Sequence, residues 1–356
     1  MIFKILSRIS ILFAGAMMLS ACGGSQPDAA ATSSDASERA GEVNIYSGRH
    51  YDSDLVLFDE FTAETGIKVN LNEGRGDALI ERIAQEGADS PADLFITADA
   101  GILWRADQRG VFQPMNSPEI AARVPEKFQH PDGHWIAVSS RARIVIYNKE
   151  LGLPEGFNSY DDLASSENVN SICVRPSSNI YNQSLLASII AHKGEDGAEA
   201  WARGVVSNFA RKPQGNDTAQ IEAVAAGLCR LGIVNSYYVG RFINSEEAEK
   251  NEIGNKIGVV FPNQDTTGTH VNVSGIGVVA NAPNPDNAKA LIAFLLRDDV
   301  QARFAKGNNE YPVVEGVATI GPIAELGEFR ADDLSVVTFG ENQAAAIGIF
   351  DRVDWP

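Results

Sequence analysis

The chain has 356 residues, 44% hydrophobic and 21% charged, with a formal net charge of −18. That is enough for two domains with real cores, in an ordinary globular composition. The acidity excludes a nucleic-acid binder, which needs a basic footprint, and leaves solubility or a cationic ligand as its uses.

Lys4 and Arg8 precede an apolar run from Ile9 to Ala21. This is the form of an export signal, too short for a comfortable bilayer span, so residues 1–21 are expected to be removed. The run ends in Leu19-Ser20-Ala21-Cys22-Gly23, the order of a bacterial lipoprotein signal, which predicts a lipidated Cys22. An ordinary secretory peptide with a chance cysteine is the bland alternative. Residues 22–41 then form the lipid-bearing cysteine and a flexible tether of small polar residues without period. Lys4 and Arg8 leave with the signal, so the acidity belongs to the globular part. The expected location is the periplasm or cell surface, with the membrane reached only through the lipid at Cys22.

A short strand is predicted at 43–46, then a helix capped by Asp52 or Ser53 that carries Leu55, Phe58 and Phe61 and stops at Gly66. A strand at 67–71, a helix from Asp77 to about Gly87, a strand at 92–97 and a helix at 101–109 follow. This βαβ rhythm implies a parallel sheet covered by helices. Residues 135–148 read as one long strand, able to leave one lobe and enter another. A second α/β section has strands at 171–174 and 231–235, with helices at 181–191, 198–209 and 218–226. Strands at 257–261 and 271–279 flank a second crossing at 263–268, and helices are predicted at 287–297 and 300–306. Two lobes joined by two crossings place a cleft between them, where ligands usually bind.

The chain has three cysteines. With Cys22 lipidated, Cys173 and Cys229 remain in an oxidising compartment, where pairing is expected and is worth up to roughly 4 kcal/mol in the chain-entropy model. Two buried free thiols are the alternative.

Of eight tyrosines, four stand just beyond strands or at helix starts. Tyr51 closes "GRHY" after the first strand, Tyr181 opens a helix after "RPSSN", and Tyr237-Tyr238 follow the strand at 231–235. Neighbours in a strand point to opposite faces, so such pairs serve one site only where the backbone turns. Ligands bind outside the carboxyl ends of strands in open α/β sheets, so the four phenols can share one cleft. A phenolate is a hard anionic oxygen with an ordinary pKa near 10, and only a small, highly charged cation such as Fe3+ offsets the deprotonation of several. Tyrosinate is also a known iron ligand in haem proteins. Zinc would want histidines and cysteines at short fixed spacings, and calcium a carboxylate-rich loop. Neither pattern is present. Tyr46, Tyr147, Tyr160 and Tyr311 read as packing residues, and Arg143 as a salt-bridging strand residue. His130, His134, His192 and His270 show no ligand spacing and read as surface or satisfied histidines. No nucleophile elbow, HExxH or cysteine–histidine pairing is present, so no enzymatic activity is expected.

The stretches "YSGRHY", "GIKVN", "SPADLF", "SSNIYNQSL", "NFARKPQGNDTAQIEAV", "NSYYVGR" and "THVNVSGIGVV" together carry a resemblance. From Val43 onward the chain resembles bacterial ferric-iron-binding proteins of ABC importers, of the cyanobacterial type. The resemblance implies an α/β, two-lobed periplasmic-binding-protein fold of class II type, with two parallel or mixed sheets, helices and a hinge. Residues 42–137 and 265–315 would form the N-terminal lobe, and 138–264 and 316–356 the C-terminal lobe. It further implies that Tyr51, Tyr181, Tyr237 and Tyr238 bind Fe3+, with His50 a ligand in some members only. Arg141 and Arg241 correspond to arginines near the metal. Four phenolates around Fe3+ leave one negative charge, which a guanidinium compensates. Some members add carbonate or a similar anion, which four tyrosines make unnecessary. The implied partners are an ABC permease and its ATPase, served by a monomeric substrate-binding lipoprotein. The alternative is a same-fold binder of a small organic ligand, a polyamine or sugar, which predicts stacking tryptophans and acidic residues in the cleft. A storage or signalling role would use the same site.

Overall fold

Strands and helices alternate through much of this computed structural model, which describes residues 41–356 and ends in a run of helices. The signal segment, Cys22 and the tether up to residue 40 lie outside the described residues. In chain order the elements are β1 (Glu42–Ser47), α1 (Asp52–Thr65), β2 (Lys68–Glu73), α2 (Gly76–Glu86), β3 (Leu94–Ala98), α3 (Ala100–Gln108), α4 (Pro118–Ala121) and β4 (Ile136–Asn148). Then come β5 (Ile172–Cys173), α5 (Ile180–Ser207), α6 (Asp217–Ala225), β6 (Leu231–Asn235), α7 (Ser236–Gly240), α8 (Ala248–Lys256), β7 (Ile257–Val260) and β8 (Val271–Val278). The chain finishes with α9 (Pro285–Leu295), α10 (Asp298–Gly307), α11 (Val337–Glu341) and α12 (Gln343–Arg352).

The strands follow the order β2-β1-β3-β8-β4-β6-β5, with β7 also on β4. β1 pairs parallel with β2 and β3, whereas β8 is antiparallel to β3 and β4. Strand β4 is the joint. Its first half, Ile136 to Ala142, pairs with β8, and from Arg143 onward it pairs with β6 and β7. One long strand thus serves two sheets, giving the α/β two-lobed architecture.

Local chemistry explains most boundaries. Gly66 ends α1 at φ 75° with its N–H on Thr62 O, a left-handed stop that glycine adopts without strain. The two helices predicted around 191–198 form one span, α5, interrupted where Gly194 leaves helical geometry at φ 71°. Three expectations need correction. The N-cap of α1 is Tyr51 itself, extended at φ −123°, with no side-chain cap from Asp52 or Ser53. Leu55 is 43% exposed, because the buried stripe of α1 is Asp54, Leu57, Phe58 and Phe61. Asp54 belongs to it because Arg49 pairs with it. Helices α8, α11 and α12 had no counterpart in the sequence reading. In α11 the chain packs on α3 so closely that a Cβ at Gly340 would lie 2.2 Å from Trp104 Cβ. Cys173 and Cys229 form a disulfide across 56 residues, with their Cα atoms 5.7 Å apart.

Candidate metal centre

Three element ends supply the phenols. Tyr51 sits at the extended N-cap of α1, just past β1. Asn179 caps α5, its Oδ1 accepting from Asn182 N, and Tyr181 rides on the first turn. Strand β6 runs directly into α7, so Tyr237 and Tyr238 leave on a helical turn. The turn does what a strand cannot: the two rings stack, with centroids 4.3 Å apart and planes 30° apart. Tyr181 Oη and Tyr237 Oη are 3.4 Å apart. Tyr51 is tied to the group through charged partners: Arg49, 4.6 Å from its ring centroid, shares Glu310 with Arg141, which lies 5.9 Å from the Tyr237 centroid.

Three of the phenols hold their protons firmly. Burial pushes Tyr51, Tyr181 and Tyr237 above the ordinary phenol range. Their mutual repulsion as anions adds to the rise at Tyr181 and Tyr237, while Arg141 opposes it at all three. A weakly charged ligand cannot displace several such protons, whereas a small trivalent cation gains enough Coulomb energy from oxyanions to do so.

Guanidinium groups surround the cluster. Arg241 lies 5.1 Å from the Tyr237 ring centroid and 4.9 Å from that of Tyr238. Arg141 lies 5.9 Å from the Tyr237 centroid, and its Nη2 donates to Ser274 Oγ at 2.5 Å and to Glu310. Its Nε and Nη1 are buried with no hydrogen-bond partner among the described residues. The sequence reading missed three contributors. Arg49 lies 4.6 Å from the Tyr51 centroid and pairs with Asp54 at 2.9 Å and with Glu310 at 3.2 Å. Glu310 is fully buried; burial would raise its pKa, but Arg141 and Arg49 hold it at about 2. Asn308 Oδ1 accepts from Arg241 Nη2 at 2.9 Å. Arg49 stood in plain view inside "GRHY", but a lone acid or amide in an acidic chain carries no local signal.

Arg143, two residues from Arg141, is a salt-bridging strand residue. It donates to Asp217 at 3.0 Å, Asn182 at 2.7 Å and Asn235 at 3.2 Å. Asn182 adjoins Tyr181 and Asn235 precedes α7, so one guanidinium ties together the two segments that carry three phenols.

His50 is placed differently. Its ring is more than half exposed, with Nδ1 3.3 Å from Glu73. It lines a cavity of about 980 Å³ shared with Tyr181, Arg75, Arg105 and Arg175. Asp77 is the one acid in that lining, and no tryptophan reaches it. Trp135, Trp201 and Trp355 are buried in the core, and Trp104 packs on Gly340. The stacking platform expected for an organic ligand is therefore missing among the described residues.

The remaining histidines correct one expectation. His130 and His134 do come together, with Asp107, within 4.8 Å. Their rings stack parallel at 4.8 Å and face opposite oxygens of one carboxylate. Asp132 N–H donates to His130 Nδ1, so the arrangement is a hydrogen-bonded one whose lone pairs do not converge on a point. His192 bonds Asp332 at 2.7 Å, and His270 is buried against Phe339. Of the packing tyrosines, Tyr46 Oη bonds Glu86, and Tyr160 Oη accepts from His270 N and donates to Arg143 O.

Residues 89–321 match the family of bacterial extracellular solute-binding proteins. The chain is 48% identical to iron uptake protein A1 of Synechocystis sp. over 341 residues, 96% of this chain and 94% of that one. It is similar to the solved structure of Trichodesmium IdiA/FutA in complex with iron and citrate, at 49% identity and a TM-score of 0.86, covering 89% of this chain and 100% of the other. The ferric iron-binding protein A of Mannheimia haemolytica, solved in an open conformation, matches at 34% identity and a TM-score of 0.83, over 89% and 99% of the two chains.

Proposed function

The chain belongs to the bacterial extracellular solute-binding proteins, and from that membership we propose that it captures Fe3+ between two lobes on tyrosinate ligands and hands it to an ABC importer. The observation that carries this reading is the convergence of four phenols, from three separate element ends, beside Arg141 and Arg241. Tyr51, Tyr181, Tyr237 and Tyr238 are the ligands. His50, paired with Glu73 at the rim, is the fifth candidate ligand and would join with Tyr51 on closure. Lobes of 42–137 with 265–315, and 138–264 with 316–356, hinge at β4 and at 263–268. In the open form Fe3+ docks on Tyr181, Tyr237 and Tyr238, and closure adds Tyr51. The donor set suits the ion: hard anionic oxygens for a hard trivalent cation, with a guanidinium against the residual negative charge.

The role is binding and delivery rather than catalysis. The partners are a permease and its ATPase, with the protein monomeric and held to the membrane by a lipid on Cys22. Replacing Cys22 by serine should release it to the soluble fraction. The deciding experiment is metal analysis and a visible spectrum of the purified soluble part, repeated with Tyr237→Phe and Tyr238→Phe. Iron bound with a tyrosinate-to-iron colour, weakened or shifted in both variants, is the expected result. Acid and dithionite should each discharge the colour, because protons compete for the phenolates and Fe2+ holds them less strongly. Colour that persists in acid counts against the assignment, and a colourless protein that binds an organic solute would favour the polyamine or sugar reading.

A further inference from the structure

One short segment after α10, Asn308-Asn309-Glu310, holds three guanidiniums that face the phenols. Glu310 takes Arg49 Nη1 at 3.2 Å, Ser139 Oγ at 2.6 Å and Arg141 Nη2, while Asn308 takes Arg241 Nη2. The segment is pinned on two sides. Tyr311 and Ser140 of β4 exchange backbone hydrogen bonds of 2.8 and 2.9 Å. Gly240, at the end of α7, approaches so closely that a Cβ there would lie 2.7 Å from Asn309 Cβ.

Charged groups of both signs lie around the phenols. Arg49 and Arg141 face Asp54 and Glu310. Arg143 and Arg175 face Asp217. Arg241 is exposed and meets the neutral amide of Asn308. Four phenolates around a trivalent ion carry one net negative charge. Around a divalent ion they carry two, and each added negative charge in a buried site is costly. Resting on the ferric reading above, we propose that Glu310 is a specificity-determining residue: its buried carboxylate, held between Arg49 and Arg141, biases the tyrosine site toward a trivalent ion over a divalent one. The direction follows from Coulomb's law. A fixed negative charge attracts an ion of charge three more than an ion of charge two, by on the order of ten-fold in affinity at an effective dielectric of about 20.

The test uses redox-inert ions of the two valences: Ga3+ supplied as its nitrilotriacetate, and Mn2+ under argon. Both are titrated into the soluble protein while phenolate absorbance is followed. In Glu310→Gln the ratio of Ga3+ to Mn2+ affinity should fall by on the order of ten-fold. In Asn308→Asp, which adds a negative charge beside Arg241, the ratio should rise by a similar factor. The double variant Arg49→Gln/Glu310→Gln restores the charge count and should return the ratio to within about three-fold of wild type. A ratio unmoved in Asn308→Asp, or both affinities falling equally in Glu310→Gln, overturns the proposal and leaves Glu310 a purely structural group. If Glu310→Gln does not fold, Asn308→Asp decides alone. Wild-type protein that takes up no Ga3+ would instead overturn the ferric reading itself.

Discussion

Tyr51 stands at the start of α1 with Arg49 against its ring, whereas Tyr181, Tyr237 and Tyr238 crowd together, and the two groups meet charge differently. On the crowded wall the phenols are one another's neighbours, and burial and mutual repulsion keep Tyr181 and Tyr237 protonated. Arg143 acts there as a structural pin, its guanidinium given to Asn182, Asp217 and Asn235. At Tyr51, Arg49 lies against the ring and pairs with Asp54 and Glu310, while Arg141 keeps two buried N–H groups with no hydrogen-bond partner among the described residues.

The severest way to break the contrast is to remove the pin. Arg143→Gln strands Asp217 in the interior near only Arg175, and should cost about 3–5 kcal/mol of stability in urea unfolding, with iron affinity of the folded fraction less affected. A loss below about 1 kcal/mol would mean that the crowded wall is not held by this guanidinium. Next comes Tyr237→Phe. Changes outside the ligand set cost 10–100-fold in metal affinity, so loss of a direct ligand should cost ~100-fold or more, measured by chelator competition. Tyr51→Phe sharpens the comparison. It should cost less, ~10–100-fold, and mainly through faster release, because the ion has already docked on the other three. Equal losses in slow and fast phases would place Tyr51 in the docking step instead. The smallest effect is that of acid on the metal-free protein. Glu310 has a folded pKa of about 2, depressed by Arg141 and Arg49, against an unfolded value of about 4.3. Its stabilising contribution is therefore present above about pH 4.3 and lost as pH falls through about 2. Glu310→Gln should flatten that part of the stability profile, measured as urea midpoint against pH.

Much of the frame is readable from the chain. β6 falls on Leu231–Asn235 as the apolar run predicts, and α1 stops at Gly66 where a left-handed residue is available. Where reading failed, the cause is specific. Leu55 fits a helical stripe as well as Leu57 does, and the buried stripe is the one that carries Asp54 against Arg49, a contact made in space. Helices α11 and α12 have their apolar periods broken by Gly340, Gly348 and several alanines, so their burial against α3 and α5 is a tertiary fact.

The four tyrosines were singled out because a residue type with rare chemistry stood at strand ends, and both signals are local. Their arginine partners were only half visible, since Arg141 and Arg241 came through the family resemblance and Arg49 did not. Glu310 and Asn308 were invisible. Glu310 meets Arg141 and Arg49 across 169 and 261 positions of chain, and Asn308 meets Arg241 across 67. The sequence by itself determined the strand and helix rhythm and the donor chemistry, because periodicity, caps and phenols are properties of neighbouring residues. Only the tertiary structure decided which charges surround those donors, because a Coulomb interaction depends on distance through space, and no spacing along the chain records it.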